Sequence, residues 1–398
     1  MAKENMSKLE RLIQQYCPDG VEYVKLDSVA NICRGTRVVK SQLSDKGYPV
    51  YQNCLTPMGY FERSNCNAGI TFVICGGAAG NVGYTDVECW AADDCEFIIG
   101  GHQVINRYIY YYLMTKQNYL LSKVRKASIP RLSPSIIKDL EIPLPPLPVQ
   151  EEIVRILDAF TELQAELQAE LQKRKQQYNY YLDNLLNFKN INRGGYQAEV
   201  RWMKMSEVFE IRNGYTPSKA KKEFWEGGTI PWFRMEDIRQ NGRILSDSIL
   251  HITPKGVKGK GLFKANSFIL ATTATIGEHA LIIADSLANQ QFTNLSIRKS
   301  LENELSVKYV YYYFFVIDEW CKANTNVSNF ASVDMSKFYN LLIPIPSIAE
   351  QQRIVAILDR FDTLTTDLTQ GLPAEIEKRR QQYEYYRDKL LTFKRKGA

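Results

Sequence analysis

The side chains in this sequence best placed to do chemistry are its cations, and the chemistry they suit is holding a polyanion. In the second half, Lys219, Lys221 and Lys222 follow Gly214-Tyr215-Thr216-Pro217. Arg234, Arg239 and Arg243 come next, and Lys255, Lys258, Lys260 and Lys264 are spaced through glycines. The first half offers Arg34, Arg37 and Lys40, then Lys123, Arg125, Lys126 and Arg131. Basic loops can follow a phosphate backbone and arginines among aromatics can reach base edges, so these clusters are the candidate DNA contacts. Taken singly, each is a solvated surface charge. Two further runs, Lys173-Arg174-Lys175 and Lys378-Arg379-Arg380, could contact phosphate between the two domains or pair with acids on partner helices, the second being favoured.

Catalytic constellations are absent. His102, His251 and His279 are scattered without metal-ligand spacing, so no metal site is expected. Gly256 to Gly261 is basic and glycine-rich but has the wrong spacing for a phosphate loop. Gly76 to Gly83 lacks the Gly-x-Gly-x-x-Gly order. No Asn-Pro-Pro-Tyr motif of the adenine methyltransferase kind occurs, and nothing singles out an acid and base pair. The chain is expected to be non-catalytic, with no cofactor of its own. Its 398 residues carry a net charge of +6 and are 45% hydrophobic and 24% charged, which suits globular cores rather than long disorder. Eight cysteines form no Cys-x-x-Cys pair, and no apolar run approaches the ~18 residues of a membrane span. A soluble cytoplasmic protein with reduced thiols is therefore expected.

What must position the cations is a chain written twice. Ile142-Pro143-Leu144-Pro145, Gln150 and Ile153 to Phe160 recur as Ile343-Pro344-Ile345-Pro346, Gln351 and Ile354 to Phe361, at a constant offset of 201. Tyr108 to Tyr112 recurs as Tyr309 to Tyr313 at the same offset, and Val21 to Leu26 resembles Val200 to Met205. The closing stretches, Lys173 to Tyr181 and Lys378 to Tyr386, are offset by 205, so the second copy is four residues longer. The first copy reads as a long helix with a coiled-coil seam of Ile153, Leu157, Phe160, Leu167, Leu171, Tyr178, Tyr181, Leu185 and Phe188, flanked by Ile156, Leu163, Leu182 and Leu186. Prolines 143, 145, 146 and 148 bar helix before about Val149, and about 40 residues make a rod of roughly 60 Å. The second seam is Ile354, Leu358, Phe361 and Leu368, resuming at Tyr383, Tyr386, Leu390 and Phe393. Gly371-Leu372-Pro373 interrupts it, with a stop expected at Gly371 and a restart at Pro373. Antiparallel pairing of the two seams is favoured because one chain holds both at high effective concentration. The alternative is two helices each lying on its own domain. Residues 4 to 16 suit a short amphipathic helix closed by the turn at Cys17-Pro18-Asp19-Gly20, with the end of the second rod as its candidate partner. Tyr48 to Tyr51, Ile70 to Ile74 and Glu96 to Ile99 read as strands.

Two unlike segments, each followed by an Ile-Pro-(Leu/Ile)-Pro, Gln, Ile-Val, Ile-Leu-Asp helix ending in Lys-Arg, Gln-Gln-Tyr and Tyr-Tyr, resemble the specificity subunit of Type I restriction-modification enzymes over essentially the whole chain. The resemblance implies an α+β architecture: two pseudo-repeated globular target-recognition domains separated by two long antiparallel coiled-coil helices. The expected division is an N-terminal helix at 1–20, recognition domains at 21–145 and 193–345, a central helix at 146–192 and a C-terminal helix at 346–398. It implies that each domain reads half of a bipartite site in double-stranded DNA. The helices would set the spacer and dock two methyltransferase subunits and, through them, endonuclease and translocase subunits. S-adenosylmethionine, ATP and magnesium then belong to the partners. Thr161-Glu162-Leu163-Gln164 and two Ala-Glu-Leu-Gln units to Gln172 resemble the family's spacer-setting tetrapeptide repeat. Gly371-Leu372-Pro373 departs from the family's matched helices and puts the spacer in doubt. The rival reading is a helical scaffold that binds protein partners without DNA specificity. The bases read are not legible, because the two halves diverge where they would be read.

Overall fold

The computed structural model describes residues 6–188, 200–326, 331–367 and 369–397. Six helices organise it: α1 (Lys8–Tyr16), α2 (Asn106–Thr115), α3 (Leu147–Leu186), α4 (Val307–Ala323), α5 (Ile348–Thr366) and α6 (Leu372–Leu390). Helix α1 starts at Lys8, where Ser7 caps it; residues 4 and 5 lie outside the described residues. The Ser7 hydroxyl accepts from Glu10 N, and the Glu10 carboxylate accepts from Ser7 N at 2.7 Å. Helix α3 runs unbroken for 40 residues, about 60 Å, with Pro148 in its first turn where a missing N–H costs nothing.

The second rod is two helices of 19 residues each. Helix α5 stops at Thr366, earlier than the expected Gly371, because Asp367 leaves helical geometry. Its carboxylate accepts from Thr369 N at 2.7 Å and Gln370 N at 3.2 Å, a local turn that competes with the next helical bonds. Gly371 is buried in that turn, where a Cβ would lie 2.4 Å from Thr363 O, so no side chain fits. Pro373 then sits in the first turn of α6, as expected. Leu368 and the Gly194-Gly195 pair lie outside the described residues.

The chain divides into unit 1, Met1–Ala169 with Ala374–Ala398, and unit 2, Glu170–Pro373. The rods therefore form no body of their own; each unit takes part of α3. Unit 1 is built on strands β1 (Ala30–Arg34), β2 (Ile70–Ile74), β3 (Val82–Thr85) and β4 (Cys95–Gly100), in the antiparallel order β1-β4-β2-β3. Helix α2 covers the sheet with fully buried Tyr108, Ile109, Tyr111 and Leu113. The same core takes Ile153 and Leu157 of α3, Leu9 of α1, and Leu391, with Leu390 and Phe393 against it. The N-terminal helix thus packs on the end of the second rod. Val21 N donates to Lys394 O at 2.9 Å and Lys396 N to Val21 O at 3.0 Å, tying the two ends of the chain together.

A buried carboxylate fastens α1 to α3 in unit 1. Glu152 accepts from Arg155 at 2.6 Å and from Lys8 at 2.7 Å. The Arg155 pairing, helped by Lys8 and opposed by burial, holds its carboxyl down at about 2. A depressed carboxyl stabilises the fold above its unfolded value near 4.5, and that contribution is lost as pH falls toward 2. Glu152→Gln should therefore cost about 1 kcal/mol at neutral pH, and melting curves of wild type and variant should converge toward pH 2.

Unit 2 repeats the plan with β5 (Phe209–Asn213), β6 (Ile244–Leu245), β7 (Ser267–Ala271), β8 (His279–Ile282) and β9 (Phe292–Ile297), in the order β5-β9-β7-β8-β6. Helix α4 is its counterpart of α2, seven residues longer at 17 against 10. Its core joins Phe209, Phe268 and Phe314 to Leu182 and Leu186 of α3 and to Ile354 and Leu358 of α5. The flanking positions Leu182 and Leu186 are buried, whereas the seam residue Tyr181 is 38% exposed.

Three polar clamps explain why the repeated residues repeat. Gln150 accepts from Ile105 N at 3.0 Å and donates to Gln103 O at 2.9 Å and Pro145 O at 2.7 Å. Gln351 accepts from Ser306 N at 2.8 Å and donates to Glu304 O at 2.8 Å and Pro346 O at 2.9 Å. Tyr108 donates to Pro143 O and Tyr309 to Pro344 O, each at 3.0 Å. Tyr111 and Arg107 hold Asp158 at 2.5 and 2.7 Å, as Tyr312 and Lys308 hold Asp359 at 2.5 and 2.9 Å. Within unit 1, Phe160 stacks on Tyr386 at 5.5 Å; within unit 2, Tyr181 stacks on Phe361 at 5.0 Å. The early part of α3 thus meets the later helix and its late part the earlier one, the antiparallel sense.

In the basic runs on the rods, the arginines pair with acids of their own helices. Arg174 binds Glu170 and Arg379 binds Glu375, each at 2.7 Å and one turn away, and Arg380 binds Glu377 and Glu384. Among the described residues no helix is long and apolar enough to cross a membrane.

Candidate nucleic-acid interface

In unit 1 three of the candidate cations meet in one cleft. Arg34 ends β1 directly opposite Glu96 of β4, and its Nε donates to Asp93 O at 2.9 Å. Arg131 is bridged through its backbone to Gly76 and Arg125, and its guanidinium pairs with Asp94 at 3.1 Å. With Cys75, Ser133 and Pro134 these residues line a cleft of about 330 Å³. Gly76 is glycine for a reason here, since a Cβ would lie 2.3 Å from the Asp94 carboxylate. Glu96 on the cleft wall is only 5% exposed. Burial pushes its carboxyl upward, against the pull of the Arg34 and Lys138 charges. Arg37 and Lys126 are exposed outside the cleft, and the Lys123 ammonium lies over the Tyr119 ring at 5.2 Å.

In unit 2 the candidate cations fall into three groups. Lys219, Arg239, Lys258 and Lys260 are exposed and carry no ion pair to any described residue. Lys221 lies over the Phe224 ring at 5.2 Å. The loop bearing Lys258 is pinned by Tyr215, whose hydroxyl accepts from Lys258 N at 2.6 Å and donates to Gly256 O at 3.1 Å. A second group is already paired at the surface: Lys222 with Glu226 at 3.4 Å, Lys255 with Glu223 at 3.1 Å, Lys264 with Asp285 at 2.8 Å and Arg234 with Glu236 at 2.7 Å. The three lysine pairs are exposed and such pairs are worth little, whereas Arg234 is half-buried and its Nε is buried without a partner.

Arg243 stands apart and leaves the candidate set. Its guanidinium reaches Asp318 at 3.3 Å and His279 O at 3.1 Å, and it stacks on Phe315 at 5.2 Å. His279 Nδ1 bonds Asp318 at 2.7 Å, and the ring is wholly buried. Burial lowers the imidazole's proton affinity, so the arginine supplies the cation that Asp318 needs. It is a structural strut of unit 2. No cluster of three or more potential metal ligands occurs among the described residues.

The cleft acids Asp93, Asp94 and Glu96 are invisible to sequence reasoning that looks for cations. The acidic run leading into a strand is their only local signal.

The family model for the Type I restriction modification DNA specificity domain matches the chain twice, over residues 18–177 and 197–378. The EcoprrI specificity subunit of Escherichia coli is 54% identical over 204 residues, which is 50% of this chain and 51% of that one. Another Type I restriction enzyme specificity subunit of Escherichia coli is 40% identical over 73% of this chain and 72% of its own length. A putative specificity subunit of Haemophilus influenzae is 32% identical over 98% of this chain and 100% of its own. Among solved structures, a Mycoplasma genitalium S subunit from a Type I restriction-modification system shares the fold with a TM-score of 0.58 at 16% identity, covering 94% of this chain and 96% of that one.

Proposed function

This chain belongs to the Type I restriction modification DNA specificity family, whose members are non-catalytic specificity subunits, and from that premise we propose how its parts divide the work. Unit 1 and unit 2 each read one half of a bipartite site in double-stranded DNA. Helix α3, with α5 and α6, fixes the spacer and docks two methyltransferase subunits, which in turn hold the endonuclease and translocase subunits. S-adenosylmethionine, ATP and magnesium are bound by those partners. The observation that carries this reading is that the buried glutamine and tyrosine clamps recur at an offset of 201 while the side chains lining the unit 1 cleft do not recur at the equivalent points of unit 2. A frame kept identical under differing surfaces is what two readers of different sequences require. In unit 2 a groove of about 740 Å³, lined by Arg174 of α3 and Ile357, Phe361 and Leu364 of α5, supports the docking of a partner helix.

Binding should be salt-dependent, with log affinity falling linearly against log salt at about 0.9 per phosphate neutralised. Changing Lys219, Lys258 and Lys260 together to alanine should flatten that slope by up to about 3. A titration of duplex DNA at several ionic strengths checks this; an unchanged slope would remove these lysines from the interface. Selection from a random duplex library tests the reading as a whole. A scaffold without DNA specificity would enrich nothing.

A further inference from the structure

The two units set unlike side chains at equivalent points of one frame, and backbone hydrogen bonds define the equivalence. Gly35 N donates to Cys95 O and Thr36 N to Ala91 O in unit 1, as Gly214 N donates to Phe292 O and Tyr215 N to Ala288 O in unit 2. Cys75 N donates to Asp94 O as Thr272 N donates to Gln291 O, and the bridge Gly76–Arg131 has its counterpart in Thr273–Ser332. Arg34 facing Glu96 therefore answers to Asn213 facing Thr293. Asp93 and Asp94 answer to Gln290 and Gln291. The unit 1 cleft is built of guanidinium and carboxylate, whereas the equivalent positions of unit 2 carry amides and hydroxyls.

Both sets keep unused hydrogen-bonding capacity. Glu96, nine-tenths buried on the cleft wall, takes no hydrogen bond or ion pair from any described residue, and Asp93 Oδ1 is buried without a partner. Leaving Asp93 Oδ1 buried without a partner is costly, and the Glu96 carboxylate beside it is free to accept from an incoming donor. The Arg34 Nε is held by Asp93 O, which leaves both terminal nitrogens of the fork available. In unit 2, Gln290 Oε1 accepts from Thr216 at 2.5 Å and Gln291 Oε1 from Asn289 at 3.2 Å, and Asn213 Oδ1 accepts from Thr293 at 3.2 Å. Each amide is thereby oriented, and its NH2 has no partner among the described residues.

We propose that these equivalent points of the two units read bases and demand different base pairs. Unit 1 selects G·C, with Arg34 donating to guanine O6 and N7 and Glu96 accepting from cytosine N4. Unit 2 selects A·T at the equivalent point, through Gln290, Gln291 and Asn213 on adenine N6 and N7. The inference rests on the DNA reading above and adds to it the reading residues and the base class. It also explains why two domains with the same ladder, turns and clamps need not share a half-site.

The test uses the full chain assembled with its methyltransferase partners and a library of duplexes carrying a randomised stretch. Wild type should enrich two half-sites. Glu96→Gln should relax one G·C position in one half-site by about tenfold or more, leaving the other half-site untouched. The pair Arg34→Asn with Glu96→Thr, which carries the unit 2 identities, should move that position toward A·T. Gln290→Ala with Gln291→Ala should relax an A·T position in the opposite half-site only. Should the double variants fail to fold, the exposed Arg34→Gln carries the test alone. Variants that bind as wild type and enrich the same two half-sites overturn the inference. A wild type that enriches no sequence overturns the DNA reading itself, before any variant is compared.

Discussion

Gln351→Leu is expected to destabilise unit 2 by about 4 kcal/mol while leaving unit 1 at its wild-type stability. The side chain is fully buried and its amide serves three backbone groups, Ser306 N, Glu304 O and Pro346 O. Leucine fills much the same volume and serves none of them. One part-buried N–H, one part-buried carbonyl and the buried Pro346 carbonyl would lose a partner, at about 1 to 3 kcal/mol for each buried group left unmatched. For a unit of this size that corresponds to a fall in Tm of roughly 10 °C. Hydrogen exchange at the Ser306 amide, which would lose its acceptor, assigns the loss to unit 2. The mirror variant Gln150→Leu should expose the Ile105 amide in unit 1 instead. A loss below about 1 kcal/mol would mean that water replaces the clamp and that the repeated glutamine is not what fastens the helices.

Adding one Ala-Glu-Leu-Gln unit within Thr161 to Gln172 should change the DNA target without changing either half-site. Four residues lengthen a helix by about 6 Å and rotate its downstream part by about 40° beyond a full revolution. The seam contacts at Phe160 and Tyr181 lie on either side of the insertion, and each is made within its own unit. The added residues thus enter where the chain passes from unit 1 to unit 2, at Ala169 and Glu170. At 3.4 Å per base pair the spacer should grow by about two base pairs. Library selection with the assembled complex reads this directly. Altered half-sites with an unchanged spacer would contradict the ruler role of α3.

Much of the frame was legible because its signals are local or periodic. The strands Tyr48–Tyr51 and Ile70–Ile74 fall where short β-type runs between glycines and asparagines put them, and the offset of 201 marks residues that turn out to be clamps. What escaped depends on contacts far apart in sequence. Arg243 reads as a free surface cation until Asp318, 75 residues away, holds it beside His279. Glu96 looks like an ordinary strand residue until Arg34 is set across from it by the β1 and β4 register. The early stop of α5 comes from the Asp367 side chain capturing amides ahead of it, a choice between helix and turn that propensity alone does not decide.

The joining of Val21 to Lys394 and Lys396 has a consequence for biosynthesis. On the ribosome, the residues of unit 2 are complete once Pro373 has emerged, whereas unit 1, begun first, still lacks the segment from Ala374 onward that completes its core. The nascent protein should therefore fold its second unit ahead of its first, reversing the usual N-to-C order. A message cut short near codon 374 would yield one finished unit beside an open one, a product that proteases can find.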